Sequence, residues 1–169
     1  MPSLELLNRQ RKKPLDLRYF RKFAELAMTK VIERGSQASF PNEIIVVFVS
    51  DARITRIHRD FMSVDEPTDV ITFRHGEIFI SVDAAERQRE KFFGDLSREL
   101  RIYFVHGLLH LSGLEDLTEQ GFAEMATAQE AIVREVEEQL AWKSCEPNSR
   151  DFQAVEPLEK RLGRKMGSK

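Results

Sequence analysis

His106-Gly-Leu-Leu-His110 sets two imidazoles four residues apart, the spacing at which side chains on one face of a helix reach a common metal ion. Gly113 follows, where a helix can end in a left-handed turn that glycine adopts cheaply, and Asp116 comes three residues later. The chain can therefore fold back and offer a third ligand while leaving a position open for water. A carboxylate oxygen suits zinc but partly neutralises the ion, so the bound water is less acidic than with three neutral imidazoles. The expected metal set is His106, His110 and Asp116, holding one Zn2+ per chain.

The same H-x-x-x-H-x-x-G-x-x-D frame occurs in metalloproteases, where the residue after the first histidine is a glutamate that acts as general base. Here that residue is Gly107, so peptide hydrolysis by that route lacks its proton acceptor, and Glu115 is the nearest substitute as a catalytic carboxylate. The single cysteine, Cys145, rules out an intrachain disulfide and every multi-cysteine zinc site. His58 and His75 read as surface or loop histidines, Asp65 and Asp69 as turn-capping residues around Pro67-Thr68, and Ser81 as structural.

These residues need elements to hold them. Leu4 to Leu7 reads as a short strand, and 14–34 as a helix whose apolar stripe is Phe20, Phe23, Ala24, Ala27 and Val31. Ile44 to Val49 is a β-branched run expected of a central strand, and Ser50 and Asp51 can cap a helix to Met62 with Ile54, Ile57 and Phe61 on its apolar side. The runs 70–73 and 78–82 around Gly76 predict a hairpin. Helices are predicted over 83–93, over 96–111 with two of the four histidines, and over 118–142 with Phe122, Met125, Ile132, Val133, Val136 and Leu140 on one side. Phe20, Phe23, Phe104 and Trp142 sit at packing positions rather than base-stacking ones.

The chain's 169 residues fit one domain over 1–142, followed by a weakly ordered charged tail over 143–169. A content of 41% hydrophobic and 32% charged residues describes a soluble globular protein, and the longest apolar run is far too short to span a bilayer. No apolar stretch of signal-peptide length follows the basic residues near the N-terminus, so the expected location is cytoplasmic, without membrane partners. The formal charge of -2 excludes binding a polyanion by bulk charge. Residues 1–30 nevertheless carry eight bases against three acids, and residues 114–142 eight acids against one base. The first segment could face phosphates.

The motif residues resemble the YbeY family of bacterial endoribonucleases, also called rRNA maturation factors. Its metal motif, H-G-x-L-H-L-x-G-Y-D-H, is matched from His106 to Gly113 and departs at Leu114, Glu115 and Asp116. Its D-x-P-T-D-V-L-S-F segment reads Asp65-Glu66-Pro67-Thr68-Asp69-Val70-Ile71-Thr72-Phe73 here, followed by Gly76-Glu77-Ile78 and Ile80-Ser81. Met62 stands where the family often has an arginine thought to act on RNA; Arg56, Arg59 and Arg74 are the nearby cations. The resemblance implies an α+β fold, a small mixed sheet of about four strands packed with about five helices, with a zincin-like metal site on a helix, and the pass along the chain agrees. It also implies a zinc-dependent, single-strand-specific endoribonuclease in small-subunit rRNA maturation and ribosome quality control. Its partners would then be single-stranded RNA, including rRNA, and the small ribosomal subunit or its assembly factors. The attacking group could be water or an RNA 2′-hydroxyl. The alternative is a catalytically weakened, ribosome-associated RNA-binding or assembly protein, motivated by Met62 and Asp116.

Overall fold

Alternation of side chains along two adjacent strands decides how the chain is layered. The computed structural model describes residues 1–35 and 40–145, with 142–145 as backbone only. Its strands are β1 (Ser3–Asn8), β2 (Glu43–Val49), β3 (Val70–Thr72) and β4 (Glu77–Ser81). Its helices are α1 (Leu17–Arg34), α2 (Asp51–Met62), α3 (Val82–Phe92), α4 (Leu96–Leu111) and α5 (Glu119–Cys145). The sheet order is β1-β2-β4-β3. β1 and β4 flank β2 in parallel, and β3 closes the far edge antiparallel to β4. The α+β class, the mixed four-stranded sheet and the central place of β2 all agree with the sequence reading.

In register, Val46 lies opposite Ile78 and Phe48 opposite Ile80, so these side chains share one face. All four are fully buried, as are Phe23 of α1 and Phe104 and Leu108 of α4. Phe20 locks the layers, meeting Phe48 edge-on at 5.0 Å and Phe104 at 5.5 Å between ring centroids. Such aromatic pairs add about 0.5–1.5 kcal/mol each beyond the area they bury. On the opposite face Val47, Val49 and Ile71 pack with Ile54 of α2, while Ile45, Ile57, Phe73 and Phe79 around them are only partly covered.

The structure departs from the expected apolar faces at two aromatics. Phe61 is 71% exposed and Phe122 64% exposed. Periodicity gives the direction a side chain points but not whether a neighbour stands there. Phe61 occupies the last turn of α2, meeting Phe73 edge-on, and Phe122 the first turn of α5, ahead of the buried stripe that begins at Met125. Ser50 makes no side-chain cap; the first N–H of α2 is taken instead by Asp83 at 2.8 Å. Ser81 is buried, caps α3 and donates to Asp51, in keeping with its structural reading.

Among the described residues the basic and acidic runs meet at one ion pair, Lys30 with Glu135, and their other ion pairs lie elsewhere. Lys12 and Lys13 pair with Asp83 and Glu86 of α3, Lys30 and Arg34 with Glu135 of α5, and Arg98 and Arg101 with Glu137. The compact unit runs from Met1 to Glu138; the chain from Gln139 forms a separate unit. Residues 146–169 of the expected tail and the Trp142 side chain lie outside the described residues.

Candidate metal centre

Helix α4 carries His106 and His110 on a backbone that rests closely on the sheet. A Cβ on Gly107 would stand 2.9 Å from both Ile78 Cγ2 and Thr72 Oγ1, so a residue without a side chain lets α4 approach β3 and β4 this closely. The helix ends as the glycine spacing predicts. Gly113 takes φ +97°, its N–H donates to the His110 carbonyl at 3.0 Å, and the Leu114 N–H donates to the Leu109 carbonyl at 3.0 Å. This paired closure turns the chain back across the helix end and returns Asp116 to the two histidines.

The three side chains converge. His106 Nε2 lies 3.0 Å from His110 Nε2 and 3.6 Å from Asp116 Oδ2, and His110 Nε2 lies 3.7 Å from Asp116 Oδ1. One donor atom from each falls within 4.8 Å of the others, so the group can hold a metal ion. Donors at zinc-ligand distances of ~2.0–2.2 Å in a tetrahedral arrangement are separated by roughly 3.3–3.6 Å, close to the spacings found.

Hydrogen bonds at the far side of each ring decide which nitrogens face the centre. His110 Nδ1 donates to the Leu114 carbonyl at 3.0 Å, and a carbonyl can only accept. His106 Nδ1 lies 3.2 Å from Gln129 Oε1 of α5, again as donor. In the neutral rings both Nε2 atoms therefore carry lone pairs and point at one another, an arrangement that a cation between them relieves. Burial, with the neighbouring His110 second, holds the His106 pKa below its ordinary value and opposes a proton as that cation. The residues present fit a zinc ion.

A cleft of about 210 Å³ opens beside the pair. His106 and His110 form one wall, residues 68 and 70–72 another, and His58 and Met62 of α2 a third. Met62 stands there, where the family resemblance leads one to expect an arginine. Glu115 does not line this cleft; its carboxylate lies 3.8 Å from the exposed Arg74 guanidinium on the hairpin. Arg59 is engaged with Asp60 and Asp65. Asp69 accepts from Thr68 and from the Val70 N–H, a turn-capping role, and His75 is exposed and bonded to Glu77. A second cavity of about 200 Å³, between residues 14–17 and the start of α4, is mainly apolar, and its two acids, Asp16 and Asp95, cap helices.

Two residues of this centre escaped sequence reading. Gln129 lies on the long helix, 23 residues beyond His106, and no local pattern connects them. His58, expected at the surface or in a loop, is partly exposed on α2 and lines the cleft.

Comparison with known proteins agrees with the fold and motifs. A family model described as endoribonuclease YbeY matches residues 5–137. The endoribonuclease YbeY of Heliobacterium modesticaldum is 32% identical, over 59% of this chain and 73% of its own. That of Acholeplasma laidlawii is 40% identical, over 52% and 70% respectively. A solution structure of a Thermotoga maritima protein superposes with a TM-score of 0.59 at 25% identity, covering 86% of this chain and 97% of that one. The chain, with its His-His-Asp centre at the end of a sheet-packed helix, belongs to the endoribonuclease YbeY family.

Proposed function

We propose that this chain is a zinc-dependent endoribonuclease that cleaves single-stranded RNA in the cytoplasm during small-subunit rRNA maturation and ribosome quality control. The observation that carries this reading is the pair of Nε2 atoms 3.0 Å apart, with the Asp116 carboxylate closing the third side, in a chain of this family. His106, His110 and Asp116 would be the ligands of one zinc ion, and Glu115, next to Asp116 in the ligand loop but paired with Arg74 outside the cleft lining, is the catalytic carboxylate that residue order offers. Zinc held by these residues would offset the negative charge that develops on the scissile phosphate and make nearby water more acidic. The chain's own groups do the rest. Leu114 and Gln129 hold the two rings in the ligating tautomer, and the cleft between α2 and β3 receives the strand. Cations of the N-terminal segment such as Arg9 and Arg11 would hold backbone phosphates, an attraction that salt weakens. The small ribosomal subunit or its assembly factors would be the partners.

Met62 in the cleft wall favours a second reading, an RNA-binding assembly factor with weakened catalysis. Cleavage of a single-stranded RNA by the zinc-loaded protein separates the two. The nuclease reading expects a chelator and His110→Ala each to abolish cleavage while the circular dichroism of the fold persists. It also expects one zinc per chain, lost or markedly weakened in Asp116→Ala. A protein that holds RNA but cuts none, with or without zinc, would establish the second reading.

A further inference from the structure

Among the side chains lining the cleft, His58 is the strong proton acceptor besides His106 and His110; the carboxylate of Asp69, next to lining residues 68 and 70, is engaged by Thr68 and the Val70 N–H. His58 stands on α2 in the wall facing His106 and His110, together with Met62, Thr68 and Thr72. Its Nδ1 lies 2.8 Å from the Glu66 carbonyl. Because that oxygen only accepts, Nδ1 holds the ring proton, and Nε2 of the neutral imidazole keeps its lone pair. Nε2 makes no hydrogen bond or ion pair among the described residues. The bond spans eight residues, from α2 to the turn before β3, so it fixes ring orientation as well as tautomer. The surrounding groups leave the role open. Gly107 supplies no carboxylate on α4, Glu115 is turned to Arg74 outside the cleft lining, and the hydroxyls of Thr68 and Thr72 are poor bases at neutral pH.

We infer that His58 accepts the proton of the oxygen that attacks the scissile phosphodiester, an inference that rests on the endoribonuclease reading above. The attacking O–H loses its proton to Nε2 as its oxygen forms a bond to phosphorus. The bond from phosphorus to the 5′-oxygen breaks, the departing alkoxide takes a proton from water, and the imidazolium returns its own to solvent. The attacking group is a water or the substrate's 2′-hydroxyl. Product ends tell them apart, since a 2′,3′-cyclic phosphate marks the hydroxyl and a linear phosphate marks water.

The test compares zinc-loaded unaltered protein with His58→Asn, His58→Ala and Glu115→Gln on one single-stranded RNA, reading kcat, KM, bound zinc and thermal midpoint. His58→Asn should lower kcat by about 10²–10⁴-fold, the usual worth of a positioned base, with KM changed only a few-fold, one zinc retained and the midpoint unmoved. Added imidazole should restore part of the kcat of His58→Ala, which a merely structural role would not allow. Retained kcat in His58→Asn, or a collapse confined to Glu115→Gln, would overturn the assignment to His58 and leave the nuclease reading intact. Zinc lost together with activity would make His58 a ligand instead. An unaltered protein that holds zinc and cleaves no RNA would overturn both.

Discussion

The two faces of the sheet are packed differently, and the difference divides the work of the site. On the α1 and α4 side, Val46, Phe48, Ile78 and Ile80 meet Phe20, Phe23, Phe104 and Leu108, with Phe20 the most exposed of these at 5%. On the α2 side, Ile45, Ile57, Phe73 and Phe79 are only partly covered, and Phe61 stands in solvent. The histidines that would ligate the metal ride on the fully packed side, where donor spacing must hold to tenths of an ångström. The cleft's other wall, with His58 and Met62, rides on the lightly packed helix, where side chains change at little cost to stability. Met62, one of this chain's departures from the family pattern, falls on that wall, whereas those at Leu114, Glu115 and Asp116 lie in the ligand loop.

This contrast can be broken by mutation. Phe104→Ala removes a fully buried ring from the packed side and should cost ~3–5 kcal/mol in urea denaturation. A loss below about 1 kcal/mol would mean that α4 is not clamped as described. Gly107→Ala adds a methyl group 2.9 Å from Ile78 and Thr72. The overpacking cost of ~1–3 kcal/mol should exceed the helix-propensity gain of up to ~1 kcal/mol, giving a lower midpoint and weaker zinc binding. On the other face, Phe61→Ala should stay within about 0.5 kcal/mol of the parent, and a loss above about 2 kcal/mol would erase the distinction between the faces.

The smallest effect concerns pH. Hydrogen bonds from Arg89 and then Lys13 hold the Glu86 carboxyl at about 2, against an ordinary value of 4.5. Because the folded pKa is the lower one, this contribution is complete above pH 4.5 and fades as pH falls towards about 2. Glu86→Gln should therefore show a flatter acid limb of stability over that window; an unchanged limb would place the acid-sensitive group elsewhere.

Much of the fold could be read from residue order because its signals are local. The stripe of α1, the β-branched run of β2 and the glycine hairpin each lie within a few residues, and all three appear where expected, with ends shifted by up to three residues. The turn at Gly113 was also readable, since only a few residue types accept φ +97°. Phe61 and Phe122 were misjudged because the same periodicity serves a buried turn and one that extends past its neighbours.

The local code specified the helix that bears His106 and His110, the glycine that ends it and the carboxylate that follows, because each depends on backbone geometry within a dozen residues. Long-range packing set the rest. Gln129, 23 residues away, selects the His106 tautomer, and α2 brings His58 to the cleft wall. No spacing rule connects positions 58, 106 and 129, since they meet only after α2, α4 and α5 have packed.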